Sequence, residues 1–163
     1  MIRETNKKRH RRKSSRELDQ IEWSEYAQIS PGEYDAYCCY AQAYKDQVYK
    51  RWTCILRFNV LRENGDFIAR IPIWLSLGNG EKARASRRGR YLQEWVKANG
   101  GPPHRADRLS PQVFKNRIAR VKVGDTGKGL IPYSVVKEIV LWKTGKSGHS
   151  VSQSTSQGRQ TED

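Results

Sequence analysis

The sequence has few of the residues that build metal centres and disulfide frameworks. Its 163 residues include 3 cysteines, 3 histidines and 1 methionine. Cys38, Cys39 and Cys54 form no CxxC pair and have no histidine near them, so the spacing of a zinc site is missing. A turn at Lys45-Asp46-Gln47 would bring Cys54 opposite Cys38 or Cys39. A disulfide between these cysteines, or their use as part of a metal site, is therefore geometrically possible. We favour buried free thiols of a reducing compartment, and we expect no metal or other cofactor.

Long apolar runs and clustered catalytic groups are also missing. No stretch of about 18 apolar residues occurs, so we expect no transmembrane helix and no membrane partner. The basic N-terminus is not followed by the apolar segment of a secretory signal. The aspartates and histidines are scattered, and neither HExxH nor a nucleophile elbow is present. Phosphoryl-transfer enzymes usually hold metal ions with clustered carboxylates, so we interpret the chain as a non-enzyme and keep a nuclease as a less favoured alternative.

Positive charge is what the sequence has in excess. It contains 31 lysines and arginines against 17 aspartates and glutamates, a formal net charge of +14. Nucleic acid is therefore the first partner to consider. We accordingly expect a cytoplasmic protein, which would associate with the nucleoid in a bacterium or lie in the nucleus of a eukaryote. The charge is uneven, because Glu81–Lys122 holds 12 basic against 3 acidic residues, whereas Glu17–Gly80 holds 6 against 9.

Composition divides the chain into three parts. Residues 1–20 have almost no apolar side chains and are predicted to be a disordered arm, residues 21–145 are the predicted folded domain, and residues 146–163 are a predicted disordered Ser/Gln-rich tail. We interpret the arm as an electrostatic contact for phosphates, with a solubilising extension as the alternative. The arm residues assigned to nucleic-acid binding are Lys7, Lys8, Arg9, Arg11, Arg12 and Lys13.

The stretch Gly32–Leu77 is rich in aromatic and β-branched residues and is interrupted by two turn signals, which predicts three antiparallel strands. The predicted strands are Glu33–Tyr44, Val48–Leu61 and Phe67–Leu77. The second turn contains Asn64-Gly65, a dipeptide that tolerates positive φ and is a strong hairpin signal.

Alternation along these strands separates two faces of the predicted sheet. The apolar set is expected to face the core: Trp52, Cys54, Leu56, Phe58 and Val60 on the second strand, and Ala69, Ile71, Ile73, Leu75 and Leu77 on the third. On the first strand we expect Tyr34, Ala36, Cys38 and Tyr40 to point inward, and Tyr37 to point outward with Asp35, Cys39 and Ala41.

The opposite face carries arginines among aromatic side chains. Alternation places on it Tyr49, Arg51, Thr53, Ile55, Arg57 and Asn59 of the second strand, and Arg70, Pro72, Trp74 and Ser76 of the third. The residues of this face assigned to nucleic-acid binding are Tyr37, Tyr49, Arg51, Arg57, Arg70 and Trp74. A cationic and aromatic surface suits a flexible polyanion whose bases can stack. For Trp74 a second reading stays open, in which the N-terminal segment covers the indole, because large aromatics are usually mostly buried.

A basic loop, two short helices and two further strands are predicted downstream. The loop residues assigned to phosphate binding are Lys82, Arg84, Arg87, Arg88 and Arg90, with a solvated basic loop as the alternative. The first helix is predicted over Arg90–Ala98 and stopped by Asn99-Gly100, and the second begins at Ser110-Pro111. The strands are predicted over Ile118–Val123 and Tyr133–Lys143. Two outward residues of the former, Arg120 and Lys122, are also assigned to nucleic acid.

The order of these elements predicts a mainly β fold. Five short antiparallel strands with a short helical segment between the third and fourth are the arrangement of an OB-like barrel, here with disordered termini. That fold binds oligonucleotides on the face of strands two and three, which is where alternation places Arg51, Arg57 and Arg70.

Two segments resemble a known family. Pro31-Gly32-Glu33-Tyr34-x-Ala36 resembles the start of small phage and mobile-element single-stranded DNA-binding OB proteins. The Arg117–Val123 strand, followed by Tyr133-Ser134-x-Val136-Lys137-x-Ile139, is similar to the way such proteins close. The resemblance spans Pro31–Trp142, and Asn79–Tyr91 has no counterpart in that family.

The resemblance implies a non-enzymatic single-stranded DNA-binding protein of replication or recombination. An RNA-binding or ribosome-associated basic protein is the alternative, since OB barrels also serve there. A scaffold that binds other proteins is less favoured.

Overall fold

The computed structural model describes residues 27–127 and 129–143. Within them the strands are β1 (Gly32–Asp46), β2 (Arg51–Leu61), β3 (Phe67–Ser76), β4 (Ile118–Asp125) and β5 (Ser134–Lys143). The helix α1 (Arg90–Asn99) lies between β3 and β4, and a 3-10 turn, Pro111–Val113, follows it. The mainly β fold with five antiparallel strands and a short helix is therefore confirmed. The predicted arm and the predicted tail lie outside the described residues.

The strands form one antiparallel sheet in the order β3-β2-β1-β4-β5. β1 is the central strand and is long enough to pair with β2 along most of its length and with β4 along its first half. The two edge strands, β3 and β5, lie near each other but are not paired by backbone hydrogen bonds. The sheet therefore curves until its edges are near each other, and its concave side encloses the core.

With the exception of Trp52, alternation along β2 and β3 places the apolar side chains as predicted. Cys54, Leu56, Phe58 and Val60 are fully buried, and so is the β3 set from Ala69 to Leu77 at every second residue. Burial of this continuous apolar layer is the main source of stability, at roughly 25 cal/mol for each Å² removed from water. The other side of these strands is consequently the outer surface of the sheet.

A β-bulge at Cys39 overturns the predicted facing of the second half of β1. Cys38 pairs with Phe58, but the next pair is Tyr40 with Arg57, so one residue is inserted. Ala41 is therefore buried and Tyr40 points outward, the reverse of the prediction. The bulge lies where β1 leaves β4, since Tyr37 is the last residue paired with that strand. An inserted residue strengthens the local twist and redirects every later side chain.

The turn of the first hairpin lies later than predicted. The turn occupies residues 47–50, and Asp46 pairs with Arg51. Cys54 consequently lies opposite Ala43, so the expected position opposite Cys38 or Cys39 was wrong. All three cysteines are free. Burial raises the pKa of the Cys38 and Cys54 thiols to about 12, which keeps both neutral.

Helix α1 closes one end of the core with an aromatic cluster. The Tyr91 and Phe114 rings meet edge to face at 5.6 Å, and Trp142 stacks on Phe114 at 5.5 Å. The indole Nε1 of Trp142 donates to the buried carboxylate of Glu94 at 3.0 Å. The predicted start and stop signals are confirmed, because Gly100 adopts the left-handed conformation at φ 78° and the Ser110 side chain caps the 3-10 turn. No helix within residues 27–127 and 129–143 is long and apolar enough to cross a bilayer.

Trp52 does not occupy the core position predicted for it. Its side chain is only half-buried at the rim of the sheet, where Nε1 donates to the Gly80 carbonyl at 3.2 Å. Its backbone exchanges hydrogen bonds with Leu77 and Gly78. Trp52 therefore anchors the loop that follows β3, and it covers the edge of the core rather than its centre.

Candidate nucleic-acid interface

The outer surface of β1, β2 and β3 carries the arginine face, which we define as Tyr37, Tyr40, Arg51, Arg57, Asn59 and Arg70. Strand register arranges these side chains in rows that run across the sheet. Tyr37, Asn59 and Arg70 lie abreast in one row, and Tyr40 lies beside Arg57 in the next. Arg51 lies further along β2 on the same side, beside the hairpin turn.

Each arginine of this face is held by a neutral neighbour. The Arg57 guanidinium lies over the Tyr40 ring, 4.9 Å from its centroid, and Arg51 lies over Tyr49 at the same distance. Arg70 Nε donates to the side-chain oxygen of Asn59 at 3.0 Å. These contacts orient the guanidinium groups and leave their charge uncompensated.

None of the three arginines makes an ion pair within the part of the chain that the structure describes. Arg51 and Arg70 are exposed, and Arg57 is half-buried. A guanidinium that stacks on a ring still presents its N–H groups at its edge, where phosphate oxygens can accept two of them at once.

The part of the same surface between Arg51 and Arg57, together with the facing residues of β3, is more buried than alternation predicted. Thr53 and Ile55 are only 4% and 6% exposed, and Pro72 is fully buried. Trp74 is half-buried, and its ring meets the edge of Tyr133 at 6.5 Å. This contact brings the β4–β5 loop against the outer side of β3. The surface available to a ligand is therefore the end that holds Tyr40, Arg57 and Arg70, together with the β1–β2 turn.

A second group of charged side chains lies beside the arginine face. This ion-pair cluster consists of Glu33, Asp35, Arg120 and Lys143. Asp35 accepts from Lys143 Nζ at 2.8 Å and from Arg120 Nη1 at 3.3 Å, and Arg120 Nε lies 3.7 Å from Glu33. The Lys143 hydrogen bond, supported by Arg120, holds the pKa of the Asp35 carboxyl below its usual value.

The predicted site residues on β4 therefore differ from each other. The charge of Arg120 is compensated by ion pairs with Glu33 and Asp35. Lys122 is exposed opposite Glu33 in the register, and it makes no ion pair within residues 27–127 and 129–143. Lys122 can still meet a phosphate, whereas Arg120 would first have to leave two carboxylates.

The basic loop, residues 78–89, starts beside the arginine face. Its first residues are fixed by Trp52, which neighbours Arg51, and Arg84 N donates to the Leu77 carbonyl at 2.8 Å. Lys82, Arg84, Arg87, Arg88 and Arg90 are all exposed. Arg90 differs from the others because Nη2 donates to the Lys137 carbonyl at 2.6 Å and so ties the start of α1 to β5. The arm residues Lys7, Lys8, Arg9, Arg11, Arg12 and Lys13 lie outside the described residues.

Two members of the arginine face were missed by sequence reasoning. Tyr40 was assigned to the core because nothing in the local sequence marks the bulge at Cys39. Asn59 was placed on the outer side but given no role, and its function depends on the cross-strand pairing with Arg70. A register is a long-range property, so only the paired strands show it.

The described residues offer no metal centre. No group of three or more histidines, cysteines, aspartates or glutamates within residues 27–127 and 129–143 is placed to hold an ion. Comparison with known proteins adds no identification: no protein-family model matches the chain, and the search of curated proteins found no match.

Proposed function

We propose that this protein binds single-stranded nucleic acid, with single-stranded DNA as the favoured ligand, and that the arginine face is the binding surface. The observation that carries this proposal is the set of arginines at 51, 57 and 70, which are oriented by rings and an amide and have no acidic partner among the described residues. Phosphates would bind the guanidinium edges, and unstacked bases would lie on the tyrosines.

The fold supports the proposal through its strand order. Closing the sheet between β3 and β5 would give the five-stranded ring of an OB barrel, with α1 in its usual place between the third and fourth strands. We infer that the two edge strands form the seam of such a barrel, because the Trp74 and Tyr133 rings meet there. In OB barrels the surface of strands two and three takes oligonucleotides, and here that surface carries the arginine face.

Further cations extend the surface around this centre. The exposed loop residues Lys82, Arg84, Arg87 and Arg88 continue from the Arg51 end, because Trp52 fixes the loop there. These contacts would add affinity for any polyanion and carry no base selectivity. Arg120 is left out of the proposed site, since its charge is already compensated. DNA is favoured over RNA because of the resemblance to phage and mobile-element DNA-binding proteins.

Fluorescence anisotropy tests the proposal. Labelled oligo-dT, oligo-rU of equal length and a matched duplex are titrated with the full chain at several salt concentrations. We expect oligo-dT to bind most tightly, with log K falling against log salt by about 0.7 for each phosphate neutralised on a single strand. Preference for oligo-rU would instead favour the RNA-binding alternative, and equal binding of duplex would show charge attraction without the stacking that the site predicts.

A pair of matched variants tests whether the arginine face is the binding surface. Arg57→Gln and Arg120→Gln each remove one guanidinium from the same sheet, on the two strands, β2 and β4, that flank β1. We expect Arg57→Gln to weaken binding about tenfold, the loss of one charge-assisted contact, and Arg120→Gln to stay within about twofold of the wild type. Equal loss in the two variants would contradict the arginine face as the site, whatever the affinity of the wild type.

A further inference from the structure

The tip of the β1–β2 hairpin exposes apolar side chains. Val48 is 81% exposed and Tyr49 is 68% exposed. The tip extends past the β3 side of the sheet, because backbone pairing there ends where Trp52 meets Leu77 and Gly78, which leaves the Asp46–Arg51 pair and the turn beyond it. An aliphatic and an aromatic side chain therefore stand together in solvent at the most extended point of the hairpin.

The backbone holds this tip in one shape. A single carboxylate oxygen of Asp46 accepts from the backbone nitrogens of Val48 and Tyr49, at 2.9 and 3.0 Å. Lys50 completes the turn in the left-handed region, at φ 52°. The two exposed side chains are therefore presented by a fixed turn, and little conformational entropy would be lost when they meet a ligand.

The surroundings of the tip are cationic and aromatic. Arg51 lies over the Tyr49 ring, and Lys45 Nζ lies 5.9 Å from the centre of the Trp52 ring. Asp46 is the only acidic residue of the segment 45–52, and its carboxylate already accepts from the turn. The partner that this chemistry fits is anionic on its outside and offers apolar rings inside, as a nucleic acid with opened bases does.

We propose that the hairpin tip inserts at the junction between a single strand and a duplex, where Val48 and Tyr49 unstack the terminal base pair. This inference rests on the proposed function. Arg57 and Arg51 lie on the same side of β2, so a strand held on the arginine face would reach the tip after about 20 Å, at roughly 3.3 Å for each strand residue. Apolar side chains that enter between base steps are a known way of opening a stack.

The two tip residues would have different parts in this opening. Tyr49 has a ring on which a released base can stack, so it would also contribute to binding a free single strand. Val48 has no ring, and its side chain can only occupy the space between bases. Removing Val48 bulk should therefore affect junctions while leaving single-strand affinity almost unchanged, which separates insertion from ordinary stacking.

A forked oligonucleotide with 2-aminopurine in the last base pair before the single-stranded tail tests the inference, because the fluorescence of this base rises when it unstacks. Forks of both tail polarities are titrated with wild type, Val48→Ala and Tyr49→Ala. Val140→Ala is the matched control, since Val140 is also exposed, at 44%, but lies on β5. Anisotropy on the tail sequence alone is measured in parallel for every variant.

We expect the wild type and Val140→Ala to raise the fluorescence on at least one fork. Val48→Ala should lose most of that rise while its affinity for the isolated tail changes less than about twofold, and Tyr49→Ala should lose both. A wild type that binds the tail without a fluorescence rise, or a Val48→Ala variant that opens the fork as well as the wild type, would overturn this inference alone. Failure of the wild type to bind the tail would overturn the proposed function as well.

Discussion

Two regions on the outside of one sheet hold positive side chains in opposite ways. On the arginine face, Arg57 and Arg51 rest on tyrosine rings and Arg70 rests on an amide oxygen. In the ion-pair cluster, Arg120 and Lys143 bond to the carboxylate of Asp35. Strand β1 contributes to both regions, since Asp35 belongs to the ion-pair cluster and Tyr37 to the arginine face.

The difference teaches that formal charge does not identify a binding surface. A ring orients a guanidinium without neutralising it, whereas a carboxylate removes most of its attraction for a phosphate. The ion-pair cluster instead joins β1 to β4 and β5, since Asp35 of β1 holds Arg120 of β4 and Lys143 of β5. Under the proposed function the two regions have complementary roles: the arginine face would contact the ligand, and the ion-pair cluster joins the strands that support it.

The largest effect is expected from the residue beneath the arginine face. Phe58 is fully buried and its ring lies 5.8 Å from Trp142, so Phe58→Ala should lower the free energy of unfolding by about 3–5 kcal/mol. Its neighbour on β2 points outward, and Arg57→Ala should lower that free energy by less than about 1 kcal/mol. Denaturant unfolding monitored by tryptophan fluorescence compares the two. Similar losses would show that the inner and outer sides of β2 are not distinct.

The second largest effect concerns binding. Replacing Arg51, Arg57 and Arg70 together by glutamine should weaken oligo-dT binding about a hundredfold or more, near 3 kcal/mol. The salt dependence should become shallower by about 2 in log–log slope, at 0.7 for each lost phosphate contact. Anisotropy titrations at several salt concentrations measure both values. The control is Arg120→Gln with Lys143→Gln, which should keep the slope near that of the wild type; a slope reduced equally in the control would remove the contrast between the two regions.

How much of the fold and of the candidate site could be predicted depends on how far apart in sequence the interacting residues lie. The strands, the helix and their order come from local signals, such as Asn64-Gly65 in the second turn and Ser110 at the 3-10 turn, and these were confirmed. The inward sides of β2 and β3 were also confirmed, except at Trp52 on the rim, because a period of two is a local property. The outward set was only partly exposed, since Ile55 and Pro72 are buried by tertiary packing that alternation does not describe.

The errors in the first hairpin and in the facing of β1 come from register. The first turn was placed two to three residues too early, so Cys54 was expected opposite Cys38 or Cys39, whereas it lies opposite Ala43. The bulge at Cys39 then reversed Tyr40 and Ala41. The pairing of β1 with β4, which sets Asp35 opposite Arg120, joins residues 85 positions apart in sequence. Local sequence therefore located the strands, but not which cations would remain without an acidic partner.

A smaller effect is expected from the tyrosine that orients Arg57. Tyr40→Leu removes the ring under the guanidinium and a surface for one base, and should weaken oligo-dT binding about fivefold, near 1 kcal/mol. Tyr40→Phe keeps the ring and should bind within about twofold of the wild type. Because Tyr40 is 37% exposed, neither change should greatly alter thermal unfolding. Loss of affinity in Tyr40→Phe as large as in Tyr40→Leu would assign the effect to the hydroxyl, which donates to Gln42, and not to the ring.

The smallest effect tests the ion-pair cluster. Asp35→Asn removes the charge that holds Lys143 and Arg120, and because all three side chains are partly exposed it should cost no more than about 1 kcal/mol of stability near neutral pH. The freed cations should also raise oligo-dT affinity slightly at low salt. The control is Glu33→Gln, whose carboxylate lies 3.7 Å from Arg120 and should matter less.

The pH dependence of that variant gives the sharper measurement. A carboxyl whose pKa is lower in the folded than in the unfolded chain stabilises the fold at pH values above its ordinary pKa, near 4 for aspartate. That contribution is lost as the pH falls through the lower, folded-state pKa. Thermal unfolding of wild type and Asp35→Asn should therefore differ at neutral pH and converge below about pH 4. If the difference persists unchanged in acid, Asp35 supports the strands by packing and hydrogen bonding. The ion-pair cluster would then not be held by charge, which would contradict the electrostatic contrast with the arginine face.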